Sequence, residues 1–134
     1  LKEADVISLH VPLTDSTRNL IAKPQLEMMK KNAILVNCAR GGIINEKDLF
    51  DALTNNVIQA ACLDVFEKEP VPADDPLLSL DNVIAYPHMA GQTKEAASNV
   101  ATGAARGVAA ILRGEKWPHV CNPEVYNHPR WADK

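Results

Sequence analysis

Short apolar runs alternate with amphipathic segments along this chain. DVISLHV (5–11) is a mostly apolar run closed by Pro12 and the polar stretch LTDSTRN, which predicts a buried strand followed by a loop. In KPQLEMMKK (23–31), Pro24 suits the first turn of a helix, and Leu26, Met28 and Met29 supply its apolar positions. AILVN (33–37) predicts a second buried strand. NEKDLFDALTNN (45–56) opens on an Asn cap, carries acids early and sets Leu49, Phe50 and Leu53 on one face, the pattern of an amphipathic helix. QAACLDV (59–65) and NVIAYP (82–87) predict a third and a fourth strand, joined through the proline-rich, irregular EKEPVPADDPLLSLD. The Ala-rich segment from Lys94 to Leu112 predicts a long final helix, stopped by Gly114 and Pro118. No internal repeat or low-complexity tract interrupts the alternation.

Buried strands alternating with helices predict an α/β fold: a four-stranded parallel sheet in chain order with helices on both faces. Ligands of such sheets collect beyond the carboxyl ends of the strands. The residues to inspect are therefore His10-Val11-Pro12, Cys38-Ala39-Arg40-Gly41-Gly42, Asp64-Val65-Phe66 and His88-Met89-Ala90-Gly91. Two histidines, an arginine and an aspartate at strand ends make a candidate site.

Composition narrows the classes. At 134 residues and 46% hydrophobic, the chain can bury a real core as about one domain. A net charge of −3 shows no basic excess of the kind nucleic-acid binders carry. No apolar run approaches membrane-spanning length, and no signal peptide is expected before Leu1. Cys38, Cys62 and Cys121 are odd in number and lack CxxC spacing, which points to a reducing cytoplasm rather than a disulfide framework. The chain also enters a strand almost at once, as though something upstream had been cut away.

Taken singly, each candidate has an ordinary explanation. Arg40 could be a surface cation or a cap for a neighbouring helix, Asp64 a turn residue and His88 a satisfied loop histidine. Glu69 lies in the charged run EKEP, and such runs usually line a solvated face. Gly41 and Gly42 need only mark a tight turn. Their joint placement carries more weight than any one of them.

NCARGGIINEKDL, LDVFEKEP and PHMAG, in this order, resemble the C-terminal part of the D-isomer-specific 2-hydroxyacid dehydrogenases, which include phosphoglycerate, glycerate and hydroxypyruvate enzymes. The resemblance runs from ADVISLHVPLTDSTRNLI to NPEV near residue 125, with Arg40 29 positions before Glu69 and Glu69 19 before His88. It implies the second half of a doubly wound, Rossmann-like nucleotide-binding sheet. It also implies hydride transfer between a nicotinamide cofactor, NAD with NADP not excluded, and a small D-2-hydroxy or 2-oxo acid. On the resemblance, Arg40 grips the substrate carboxylate, its planar fork making two parallel hydrogen bonds. His88 is the acid/base at the carbonyl oxygen, and Glu69 is its charged partner. Val11, Cys38, Ala39, Arg40, Asp64, His88, Met89, Ala90 and Gly91 match cofactor-lining positions, with Asp64 at the carboxamide. The glycines after Arg40 would let the backbone turn close to ligand.

The G-x-G-x-x-G turn and the ribose-reading acid are absent from these 134 residues. The expectation is that 1–114 form the C-terminal half of an NAD-binding domain, and that 115–134 are a C-terminal tail returning toward a substrate domain. NPEVYNHPRW would then be a natural C-terminus. The intact enzyme is expected to be a cytoplasmic homodimer without nucleic-acid or membrane partners. Ala22-Lys23 before Pro24 lacks the small polar cap expected of a helix start. Two other classes stay open at this stage: a cysteine hydrolase using Cys38 with His88 and Glu69, and a non-catalytic NAD-sensing module on the same fold.

Overall fold

The computed structural model describes residues 1–131. Residues 132–134 of the expected tail lie outside the described residues. In chain order the elements are β1 (Val6–Leu9), α1 (Lys23–Glu27), β2 (Ile34–Asn37), α2 (Glu46–Thr54), β3 (Ala60–Leu63), β4 (Val83–Ala85) and α3 (Lys94–Leu112). A 3-10 turn at Pro76–Ser79 precedes β4, and two more, Pro123–Asn127 and Pro129–Trp131, follow α3. Residues 1–90 form one compact unit and the chain from Gly91 a second.

The four strands form one parallel sheet in the order β1-β2-β3-β4, as the alternation predicts. Ile34 pairs with Val6 on one side and Ala60 on the other. The period-2 alternation then sorts the side chains. Leu9, Leu35, Ala61 and Leu63 are buried in one cluster with Leu26 and Met29 of the α1 segment, Leu49 and Leu53 of α2, and Leu77. Helices α1 and α2 touch each other, and α2 touches the Pro76–Ser79 turn. Within residues 1–90 the packed helices share one face, where the alternation predicts helices on both: right-handed crossovers between strands taken in order put each connecting helix on the same side. On the alternate positions Val6 and Ile84 remain exposed.

Element lengths differ from the sequence expectation for local reasons. Helix α1 stops at Glu27, not Lys31, with Met28 as its C-cap. Leu26 and Met29 face the core while Met28 is 44% exposed, so the apolar run is not a continuous stripe. The missing cap of α1 comes from elsewhere: Gln25 Oε1 accepts from the Ala22 N–H at 3.2 Å, and Asp48 of α2 accepts from the Lys23 N–H at 2.8 Å. Helix α2 starts on the expected cap, with Asn45 Oδ1 accepting from the Asp48 N–H at 3.0 Å, worth about 1 kcal/mol. Beyond the strands, ladder bonding continues: Asp64 N–H donates to the Asn37 carbonyl at 2.9 Å and Tyr86 N–H to the Leu63 carbonyl at 2.8 Å.

In the second unit, α3 is capped by the Thr93 hydroxyl, which accepts from the Ala96 N–H at 3.0 Å. It ends in a Schellman arrangement: Glu115 N–H reaches the Ala110 carbonyl and Gly114 N–H the Ile111 carbonyl, with Gly114 at φ +77°. Trp117 then lies against Gly107, and the Tyr126 hydroxyl bridges the Trp117 N–H and carbonyl at 2.8 and 2.9 Å.

Gly41 and Gly42 are required for different reasons. Gly42 has φ +79°, a conformation side chains disfavour. A Cβ on Gly41 would overlap the Phe66 carbonyl, so the closeness expected toward a ligand is closeness to the chain's own loop after β3. Backbone on both sides cannot give way. Gly41→Ala should therefore cost at least about 3 kcal/mol, and Gly42→Ala about 1 kcal/mol, read as urea midpoints. Equal losses would show that the Gly41–Phe66 approach does not constrain the fold.

Candidate functional site

The end of β2 is organised by a buried side chain that sequence inspection passed over. Asn37 is 2% exposed, and its Oδ1 accepts from the Ala39 N–H at 3.1 Å while its Nδ2 donates to the Arg40 carbonyl at 3.0 Å. It takes up backbone groups left without a ladder where the strand stops. Its signal was a polar residue at a core-facing position closing an apolar run. The turn it fixes sends Arg40 outward, where Nη1 donates to the Ala39 carbonyl at 2.6 Å. Arg40, Ala39 and Cys38 line a cavity of about 690 Å³ with His10, Val11 and Pro12. There His10 Nε2 hydrogen-bonds the Ser8 hydroxyl at 2.8 Å.

The loop after β3 is fastened at several points. Gly41 packs under its Phe66 carbonyl. Glu67 N–H donates to Glu46 Oε1 at 2.6 Å, and Glu46 N–H to Glu67 Oε1 at 3.3 Å, so the loop is sewn to the first residue of α2. Burial pushes the Glu46 carboxyl above its ordinary range, with the neighbouring charges of Glu67, Asp75 and Glu69 adding to it, while the bond from Glu67 opposes the rise. Further along, Glu69 Oε1 accepts from the Phe66 N–H at 3.1 Å. That bond aims its other oxygen at the end of β4.

There the backbone turns sharply, with His88 at φ +54°. His88 Nδ1 and Glu69 Oε2 are 2.8 Å apart. An ionised carboxylate can only accept, so Nδ1 carries the hydrogen and Nε2 is the nitrogen able to exchange a proton with a ligand. Asp64 is buried at 5% exposure, and its two carboxylate oxygens accept from the Met89 and Ala90 N–H groups at 2.7 and 2.8 Å. Both oxygens expected at a carboxamide are thus engaged with backbone.

Three concavities meet along these strand ends. Cys38 lines both the Arg40 cavity and a largely apolar one of about 580 Å³ with Cys62, Leu63, Ile84 and Ala90. Asp64 borders that second cavity and a third of about 490 Å³ beside Glu69 and His88. Val11, Cys38, Ala39, Arg40, Asp64, His88, Met89 and Ala90 all lie in the first unit, whereas Gly91 begins the second. The pairing anticipated between Glu69 and His88 is present as a direct contact. Cys38 makes no hydrogen bond to His88 among the described residues, so the cysteine-hydrolase arrangement is not assembled.

The Glu69–His88 pair has a pH signature. The hydrogen bond to His88 holds the Glu69 carboxyl below its ordinary value of 4.5, against an opposing effect of burial. A depressed carboxyl contributes stability above its unfolded value and loses it as pH falls through the folded one. Because the pair is about half exposed, that contribution is small. Carboxyl NMR of Glu69 should show a midpoint below 4.5 that moves back toward it in His88→Ala. An unchanged midpoint in the variant would remove His88 as the cause.

Residues 1–90 match the family described as D-isomer specific 2-hydroxyacid dehydrogenase, NAD binding domain. The chain is 54% identical over 121 residues to a D-3-phosphoglycerate dehydrogenase of Methanocaldococcus jannaschii, covering 90% of this chain and 23% of that protein. It is 48% identical over 125 residues to a glyoxylate reductase of Korarchaeum cryptofilum, covering 93% and 38%. Among solved structures, D-lactate dehydrogenase with NAD+ from Lactobacillus jensenii superposes with a TM-score of 0.81 at 41% identity, over 87% of this chain and 39% of that one. The chain thus spans between about a quarter and two-fifths of the length of these relatives. Parallel sheet, strand-end residues and sequence agree: the chain belongs to the D-isomer specific 2-hydroxyacid dehydrogenases, as part of their NAD binding domain.

Proposed function

We propose that this chain supplies the nicotinamide-side half of an NAD-dependent dehydrogenase that interconverts a D-2-hydroxy acid and its 2-oxo acid. Residues 1–114 would complete the nucleotide domain and 115–134 would return toward a substrate domain. The observation that carries this reading is the 2.8 Å contact between His88 Nδ1 and Glu69 Oε2 at the carboxyl ends of the strands. A carboxylate on Nδ1 fixes the ring and favours the charged imidazolium, while Nε2 gives its proton to the carbonyl oxygen in reduction and takes the hydroxyl proton in reverse. Arg40 uses one N–H on the Ala39 carbonyl, which leaves its fork for the substrate carboxylate.

The residues present suit one half of the cofactor. The cavity beside Cys38, Cys62, Leu63 and Ala90 offers small and apolar side chains against which a flat nicotinamide ring can lie. When bound, NAD supplies or accepts the hydride. Val11, Ala39 and Met89 complete the proposed lining, and no glycine-rich turn for the pyrophosphate exists in these residues. Phosphoglycerate, glycerate, glyoxylate and hydroxypyruvate are the substrates to try. The intact enzyme would be a homodimer in a reducing cytoplasm, where the free Cys38, Cys62 and Cys121 persist.

A panel of 2-oxo acids with NADH and NADPH, given to the whole protein that carries this chain, tests the reading. Turnover of none would overturn it. In that protein His88→Ala should lower kcat by roughly two to four orders of magnitude. Arg40→Ala should weaken substrate capture, and Arg40→Lys should not restore it, because the bidentate fork is gone. Normal kcat/KM in Arg40→Lys would contradict the role given to Arg40.

The 134-residue chain alone should behave differently. Among the described residues strand β1 pairs only with β2, which leaves one row of its backbone groups without a strand neighbour and Val6 exposed beside it. Such an edge invites a second copy. We expect the isolated chain to self-associate, to bind NADH poorly and to turn over no 2-oxo acid. Light scattering from a stable monomer, or calorimetry giving micromolar NADH affinity, would defeat this expectation.

A further inference from the structure

His88 carries a conformational cost, and the residue that offsets it is not the one that touches its ring. A non-glycine residue in the left-handed region is disfavoured by about 1–2 kcal/mol, and His88 sits there at φ +54°. Three consecutive N–H groups turn toward Asp64. That of His88 donates to the Asp64 backbone carbonyl at 2.8 Å, and those of Met89 and Ala90 to its two carboxylate oxygens at 2.7 and 2.8 Å. Successive amides converging on one anionic group form a nest, and they fix the peptide planes on the C-terminal side of His88. The carboxylate is buried, and among the described residues it has no ion pair. Its partners are therefore these amides.

We propose that Asp64 is a positioning residue whose carboxylate holds residues 88–90 in the left-handed turn that aims His88. Backbone and ring are then secured separately, the first by Asp64 and the second by Glu69, five residues further along the same loop. The kinetic part of this inference rests on the dehydrogenase reading; the geometric part does not.

Asp64→Asn tests both parts. It replaces one acceptor by an NH2 group, which must face a backbone N–H and so releases one of the two amides. In the whole dehydrogenase, kcat at saturating NADH should fall about 100-fold, the scale of a small misplacement of a catalytic group, with KM for the oxo acid unchanged. In the 134-residue chain, one of the Met89 and Ala90 amides should lose protection from hydrogen exchange. The 15N signature of His88 Nδ1–H bonded to Glu69 should also be lost, while the Leu35 and Ala61 amides stay protected. Weakened NADH binding with normal kcat, or an unchanged imidazole signature, would overturn the proposal. If Asp64→Asn does not fold, Asp64→Glu keeps both acceptor oxygens and lengthens the arm. It should keep the amides protected yet lower kcat, and normal kcat would overturn the proposal. A wild-type enzyme without turnover overturns the dehydrogenase reading alone and leaves exchange and the imidazole signature to decide the role of Asp64.

Discussion

The site depends on the register of a parallel ladder. Asn37 pairs with Leu63, and Leu63 with Ala85, so β2, β3 and β4 end side by side. Parallel strands all present carbonyl ends in one direction, and the loops that follow must leave from the same edge of the sheet. Arg40, Asp64 and His88 lie within three residues of those ends. A shift of one residue in β3 would exchange its core-facing Ala61 and Leu63 for Ala60 and Cys62 and would turn Asp64 away from the Met89 and Ala90 amides. Core packing and the geometry at the strand ends are therefore one constraint.

Where the ladder stops, backbone groups need other partners, and two buried polar side chains provide them. Asn37 bridges the Ala39 N–H and the Arg40 carbonyl, and Asp64 takes the Met89 and Ala90 amides. Each occupies a position where an apolar residue would pack well but would leave the following turn unsatisfied. Each also stands next to a turn that carries a candidate residue, Arg40 in one case and His88 in the other. The sheet's stability and the aim of those side chains share the same hydrogen bonds.

The strands, α2 and α3 were legible because their signals are local: apolar runs, an Asn or Thr cap, a Gly after the last turn. Arg40, Glu69 and His88 stood out through residue type and spacing at strand ends, and the contact between Glu69 and His88 bears the same order. What could not be read from the chain depends on partners distant in sequence. Asp48 caps α1 from 25 positions away, and Glu46 and Glu67 exchange bonds across 21. Gly41 looked like a turn glycine; only the close approach of Phe66 shows that backbone occupies the space of its side chain. The amides that Asp64 holds could not be read from the chain either, because they lie 25 and 26 residues downstream.

The distribution of charge gives these contacts a common logic. Glu69 is engaged locally by the His88 ring, and Asp64 by backbone dipoles rather than by a cation. Arg40 is anchored to a neutral carbonyl and forms no salt bridge among the described residues. Had Arg40 paired with Glu69, an incoming carboxylate would have to displace one anion to reach the cation, and His88 would lose the group that fixes its ring. Keeping the acids on β3 and its loop occupied with amides and imidazole leaves one guanidinium charge uncompensated at the end of β2. An uncompensated cation lining a cavity attracts a small anion more strongly than a paired one does. On the proposed reading, the placement of Arg40 after β2, with Glu69 bonded instead to His88, is what keeps substrate capture and proton transfer from cancelling each other.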